Sequence, residues 1–409
     1  MKKNPYIPRD IENLLKKLSR QFPAIVVTGP RQSGKSTLLK KLFAKEYAYF
    51  SFDDPLVREQ AKSDPNRFLE TLGGRVIIDE IQYVPELLSY IKIRIDENRT
   101  RRGQFIFTGS QQFPLIKHLG DSLAGRIAVI ELLPFSVREK KKCIGYHKGF
   151  RTTQDYYLDA CIPGSFPEIV LRQKEMETDF WYGGYLRTYL ERDVRSFYNI
   201  GNLREFQRFL QLLAARCSQI LNLSSLAADT GVAVNTIKNW ISILEAGRII
   251  YLLPPYYNNL GKRITKSPKV YFLDCGLLAY LLALRDRNQI LQGPLAGPLF
   301  ENFCIQETVK FFLHRGKRDR LYYVRMNNGL EVDLLLEGKG KLYPLEFKLS
   351  KTPHSSMVQP IERFRKLFKN LNLQEGALLS LSAKSGFLPS GASFKTMQDY
   401  FIWLAYLTD

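Results

Sequence analysis

The residues best suited to chemistry in this sequence are Gly29, Pro30, Arg31, Gln32, Ser33, Gly34, Lys35 and Ser36, a G-x-x-x-x-G-K-S run continued by Thr37. Glycines at that spacing let backbone N–H groups converge on phosphate oxygens, and a helix starting there adds positive potential. Lys35 then reaches the β- and γ-phosphates of a nucleoside triphosphate while the Ser36 hydroxyl ligates Mg2+. Two acids, Asp79 and Glu80, close the apolar run Arg75-Val76-Ile77-Ile78. At the end of a parallel strand Asp79 could hold Mg2+ and Glu80 could polarise an attacking water. Ser110 follows Gln104-Phe105-Ile106-Phe107-Thr108-Gly109. There it could contact the γ-phosphate or position water, with a plain strand-to-loop turn as the alternative. Together these residues predict ATP binding with Mg2+ and ATP hydrolysis, with Lys35 and Glu80 in the catalytic roles.

A second set lies near the C-terminus. Leu330 to Leu336 and Leu342 to Leu349 flank Glu337-Gly338-Lys339-Gly340-Lys341 and read as strand, turn, strand. Side chains alternate across a strand, so Glu331 and Asp333 share one face, as do Glu346 and Lys348. A turn centred on Lys339-Gly340 puts Asp333 opposite Glu346 with Cβ atoms about 5 Å apart. Two carboxylates so placed repel unless a cation lies between them. A divalent metal on Asp333 and Glu346 would remove that cost, and Lys348 could hold a phosphate or orient water. The competing reading is a structural ion cluster that does not cut.

Both sets need elements to hold them. Ala24-Ile25-Val26-Val27-Thr28 reads as a buried parallel strand leading into the phosphate loop, and Lys35 to Phe43 as the helix after it. Cys161 to Pro167 carries two prolines and a glycine and reads as a joint. Beyond it, Leu203 to Leu221 has apolar residues three and four apart, the pattern of one buried helix face. Leu223 to Ile241, with its Gly231 turn, predicts a helix-turn-helix, and Arg248 to Leu253 supplies a wing. Asn235, Thr236, Lys238 and Asn239 would face outward toward phosphates or base edges, and a protein-contact spacer is the alternative use of the same shape.

The run Gly29 to Thr37, Ile77-Ile78-Asp79-Glu80-Ile81-Gln82, Phe107-Thr108-Gly109-Ser110, Ser122 to Ile127 and Glu131 to Ser136 resembles a prokaryotic family of AAA-type ATPases. In that family the ATPase domain precedes a C-terminal region of unknown function. Tyr189 to Val194 and Phe272 to Leu277 extend the resemblance over nearly the whole chain. Ser36 stands where many members have Thr, and either hydroxyl ligates Mg2+. The resemblance implies a sensor role for Ser110 and offers Arg126 and Arg192 as residues that could face transferred phosphate, against the blander role of ion-pair or surface residues. Asp333, Glu346 and Lys348 resemble the motif of the PD-(D/E)xK nuclease superfamily, with Glu301, on an expected helix from Pro298 to Phe312, matching an upstream acid that some members use as a further metal ligand. Val332 departs from the Pro of that motif. The implied fold class is α/β: a P-loop AAA-type ATPase domain over 1–160, a helical and winged-helix-like domain over 161–285, and an α/β nuclease-like domain over 286–409.

Sixty Lys and Arg against forty Asp and Glu give a formal charge of +20, which draws polyanions, so nucleic acid, DNA in particular, leads the expected partners. A protein partner is the alternative. It goes with an ATP-dependent switch or scaffold whose hairpin is inert. A nucleotide kinase would use the same loop but suits Asp79-Glu80 less well. The five cysteines are scattered and the four histidines unclustered, against a disulfide framework or a zinc site. With no long apolar run and no leader-like N-terminus, a cytoplasmic protein without membrane contact is expected, its self-association left open.

Overall fold

The computed structural model describes residues 6–109, 123–143, 152–172, 175–189, 203–256 and 267–408. Ser110 and Arg192 therefore lie outside the described residues.

Five strands form the N-terminal sheet: β1 (Ala24–Thr28), β2 (Ala48–Ser51), β3 (Val76–Asp79), β4 (Phe105–Gly109) and β5 (Ile127–Glu131). Their order is β2-β3-β4-β1-β5 and every pairing is parallel. β1, β3 and β4 are buried along their whole length, as their β-branched and aromatic residues require of a sheet covered on both faces. The period of two is visible in the packing. Val26, Val76 and Ile78 enter one core, while Ile25, Val27 and Ile77 enter another on the opposite face. The helix Lys35–Phe43 starts at Gly34, whose φ of 94° would strain any other residue. It docks on the second core through Leu38, Leu39 and Phe43.

The middle region is helical. Phe206, Phe209, Leu210 and Leu213 are the buried face of Leu203–Ala214, which ends seven residues short of the expected Leu221. The helix Leu223–Thr230 is capped by the Asn222 side chain, which accepts from the Ser225 N–H at 3.0 Å, and stopped by Gly231 at φ 81°. The next helix, Val234–Ala246, buries Ile237, Trp240, Ile241 and Leu244. Behind it, β6 (Ile250–Leu253) pairs antiparallel with β7 (Lys269–Phe272), a partner strand that the sequence reading did not include.

The C-terminal sheet is mixed. Its strands are β8 (Leu321–Arg325), β9 (Glu331–Gly338), β10 (Lys341–Lys348), β11 (Ala377–Ser380), β12 (Gly386–Phe387) and β13 (Ser393–Lys395), in the order β12-β13-β11-β10-β9-β8. β9 and β10 pair antiparallel with Lys341 opposite Gly338 and Leu345 opposite Leu334. The turn is tighter than the sequence reading drew it: only Lys339 and Gly340 remain, at φ 49° and 71°, the positive pair that a two-residue hairpin of the favoured twist needs. The helix Ala296–Leu313 is buried almost throughout and packs on β10 and β7. One hydrophobic cluster runs from Leu133 to Leu407, so the middle and C-terminal regions share a core.

Candidate functional site

Gly29 has φ 138°, and a Cβ there would run into the Leu132 carbonyl oxygen, so this position admits only glycine. The loop curls back so that Lys35 Nζ donates to the Gly29 and Pro30 carbonyls, both at 2.9 Å, with the side chain 5% exposed. Ser36 Oγ donates toward the two Asp79 oxygens at 3.0 and 2.9 Å. Asp79 also accepts from Tyr49 OH at 2.5 Å and from Thr108 Oγ1. Burial pushes the Tyr49 phenol up, and its bond to Asp79 pushes it further, so it stays a donor.

Glu80 follows in the left-handed region at φ 58°, costly for a residue with a Cβ. Its N–H donates to Thr108 Oγ1 at 2.9 Å, and its carboxylate accepts from Gln82 Nε2. Arg31, Gln32, Gly34, Lys35, Ser36, Thr37 and Glu80 line one cavity of about 620 Å³, within the usual size range of small-ligand sites. Tyr6, Arg9 and Phe135 form more of its wall, with Pro167, Glu168 and Tyr185 contributed from beyond the joint.

Thus the structure gathers Glu80 and the second half of the loop around one cavity, with Asp79 joined to it through Ser36. Arg126 is held away from it in an ion pair with Asp96, at 2.7 Å from Nε and 2.9 Å from Nη2. Sequence reasoning missed Tyr49 and Thr108. Thr108 stood at the end of a recognised strand and could have been weighed beside Ser110. Tyr49 had no such signal, because only the β2-β3 pairing brings it to Asp79.

The C-terminal hairpin builds a different cluster. Lys348 Nζ lies 3.0 Å from Asp333 Oδ2 and 2.5 Å from Glu346 Oε2, and the Phe347 N–H donates to Asp333 Oδ2 at 2.9 Å. Glu301 accepts instead from Lys269 Nζ at 3.0 Å and Tyr271 OH at 2.6 Å, both from β7. Lys269 also reaches Glu331 at 2.6 Å. Burial raises the Glu301 carboxyl to about 7 against the pull of Lys269. Burial and then the Asp333 charge push Glu346 well above the ordinary carboxylate range. Asp333 is also pushed up by burial, but Lys348 and Lys269 outweigh that and leave it lowered. Among the described residues no group of three or more Asp, Glu, His or Cys side chains is placed to hold a metal ion. Lys269, a buried cation on β7, occupies the space beside Glu301 and Glu331. All five cysteines are buried and free.

A parallel sheet feeding a phosphate loop from β1, with a buried Asp79 and then Glu80 at the end of β3 across β4, defines a P-loop ATPase domain of the AAA type. Residues 21–141 match the family described as AAA domain, residues 154–288 the domain of unknown function DUF8612, and residues 296–395 the domain of unknown function DUF4143. An uncharacterized protein of Mycobacterium tuberculosis, Rv2008c, is 30% identical over 349 residues, covering 85% of this chain and 75% of its own length. Another, MJ1637 of Methanocaldococcus jannaschii, is 22% identical over 404 residues, covering 88% and 81%. The Walker-type ATPase PABY2304 of Pyrococcus abyssi resembles 68% of this chain and 97% of that one, with 15% identity and a TM-score of 0.46. The chain belongs to the same family as the mycobacterial protein, AAA-type ATPases with a DUF4143 region at the C-terminal end. Membership implies nucleotide binding, usually with Mg2+. No helix among the described residues is long and apolar enough to cross a membrane.

Proposed function

We propose that the chain hydrolyses ATP in the cavity at the phosphate loop and couples turnover to nucleic acid. The observation that carries the first part is the approach of Ser36 Oγ to both oxygens of a buried Asp79. A hydroxyl and a carboxylate held at that separation suit Mg2+, which when bound would offset charge on the β- and γ-phosphates. Lys35 exchanges its two carbonyl acceptors for phosphate oxygens. Glu80 accepts a hydrogen bond from the attacking water and orients it, with its backbone fixed by Thr108. Tyr49 and Thr108 hold the Asp79 carboxylate while the hydroxyl of Ser36 is engaged elsewhere.

The second part rests on charge and shape. A net +20 favours a polyanion. The helix Val234–Ala246, read as the recognition helix of a winged-helix module, exposes Asn235, Lys238 and Asn239. The C-terminal hairpin is read as nuclease-like, with Asp333 and Glu346 able to share a divalent cation and Lys348 beside them. In support, Glu346 Oε1 is buried and accepts no hydrogen bond among the described residues. The experiment is ATP turnover of wild type and Lys35→Ala with and without DNA across a salt series, followed by assay for Mg2+- or Mn2+-dependent nicking in wild type and Asp333→Ala. DNA stimulation that fades with salt supports the reading. Turnover indifferent to DNA at every salt concentration sinks its second part.

One observation favours another reading, an ATP-dependent switch that binds a protein, with an inert hairpin. Lys348 and Lys269 already neutralise the acids that cleavage would need. Under that reading no metal produces nicking.

A further inference from the structure

Arg9 lies in the segment before the helix Glu12–Ser19, away from every motif in the sequence, yet it is 5% exposed and each of its three guanidinium nitrogens donates a hydrogen bond. Nη1 donates to the Ser33 carbonyl at 2.8 Å, Nη2 to the Leu133 carbonyl at 2.6 Å, and Nε to Glu139 Oε1 at 3.0 Å. The Phe135 ring supports it from one side, 4.7 Å from its centroid to Cζ.

The Ser33 carbonyl matters because of what shares its peptide plane. In a trans peptide the C=O and the following N–H point in opposite directions. Drawing the Ser33 oxygen toward Arg9 therefore turns the Gly34 N–H the other way, and a donor on the carbonyl also polarises that N–H. Gly34 caps the loop helix, the place where amides gather on phosphate. The Leu133 carbonyl adjoins Leu132, whose own oxygen abuts Gly29 at the other end of the loop. Arg9 thus ties the Gly34 end of the loop to the same strap of chain that the Gly29 end abuts.

Arg9 is in turn held. Glu139 is completely buried and also accepts from the Asp10 and Ser136 N–H groups, each at 2.9 Å. Its second oxygen lies 3.3 Å from His314 Nδ1, and His314 Nε2 accepts from the Leu133 N–H at 3.2 Å. His314 caps the helix Ala296–Leu313, whose first half bears Glu301. That helix also grips the strap through Glu307, which accepts from the Val137 N–H at 2.9 Å, and Lys310, which donates to the Phe135 carbonyl at 3.1 Å.

We propose that Arg9 is a positioning residue for ATP turnover, acting through the Ser33–Gly34 peptide, and that Glu139 and His314 make its hold on the loop depend on the C-terminal helix. This rests on the reading that the chain hydrolyses ATP. The test is Arg9→Lys, which keeps a cation but cannot fork to three acceptors. Melting stays cooperative, kcat falls about tenfold or more, and affinity for a fluorescent ATP analogue changes less than about threefold. Combined with His314→Gln, the loss is smaller than the product of the two single losses. Should Lys at position 9 leave the protein misfolded, Glu139→Gln is the second variant. It keeps the acceptor's shape without its charge and lowers kcat about threefold at similar affinity. Wild-type kcat in a folded variant overturns the proposal, and so do losses that multiply. If wild type does not turn over ATP and Lys35→Ala leaves analogue binding unchanged, the ATPase reading itself has failed, and this proposal with it.

Discussion

Two places in this molecule hold buried carboxylates at strand ends beside lysines, and they neutralise them differently. At the phosphate loop Asp79 is held by three hydroxyls, from Ser36, Tyr49 and Thr108. Neutral donors fix a carboxylate in place but leave its charge unspent, so the site can still accept a cation. In the C-terminal cluster Asp333, Glu346, Glu301 and Glu331 are held by the ammonium groups of Lys348 and Lys269. There two lysines already sit among the four acids, and burial raises Glu301 and Glu346 toward the neutral form, so a metal would have to compete with cations in place. Similar residue types at similar strand positions therefore differ in readiness for chemistry, and what decides it is the charge of the donors.

The largest test of this contrast is Lys269→Met. Removing a buried cation from between Glu301 and Glu331 should cost about 3–5 kcal/mol in urea denaturation, because buried Glu301 loses its ion-pair partner while Glu331 keeps only Arg325. A cost below about 1 kcal/mol would mean the lysine is not what balances the cluster. Next, Lys35→Ala should reduce ATP turnover by about 10²–10³-fold while leaving the melting temperature nearly unchanged, as expected where a cation acts on transition-state charge.

The pH response comes third. Glu301, raised to about 7 from an ordinary value of 4.5, binds its proton more tightly in the folded state. Its contribution is fully present below the unfolded value and is lost as pH rises through the folded one. Wild type should thus lose about 2–3 kcal/mol between pH 4.5 and 7 relative to Glu301→Gln, read by denaturation of both proteins across that window. Parallel curves would remove Glu301 from the account. Smallest, Tyr49→Phe deletes one neutral donor to Asp79 and should weaken it by about 1 kcal/mol, a change of up to about tenfold in turnover with the fold intact.

What could be read in advance follows from how local each feature is. The phosphate loop, the strand before it and the β9-β10 hairpin are short stretches whose glycines and alternation carry their own instructions, and the centre of the hairpin at Lys339-Gly340 is legible in that way. Asp79 and Glu80 could be placed because they end an apolar strand. Tyr49, Arg9, Glu139 and Lys269 could not, since each is an ordinary residue until the fold carries it beside a distant group. Lys269 in particular sits in a strand that pairs with β6, 16 residues earlier by the spacing of Leu253 and Lys269, and that also bridges Ile220. Length of the paired run and burial of its lysine have no local sign.

The shared core from Leu133 to Leu407 bears on how the acidic cluster can be handled. Lys269 and Tyr271 enter that cluster from the middle of the chain, while Asp333 and Glu346 come from its last third. A fragment starting near residue 286 would leave Glu301 and Glu331 without Lys269 and would lay bare the apolar faces of Leu299, Phe300 and Phe303. Excision of the hairpin as a portable module is thereby precluded by its own wiring: whatever the cluster does, it does as property of the last two thirds of the polypeptide together.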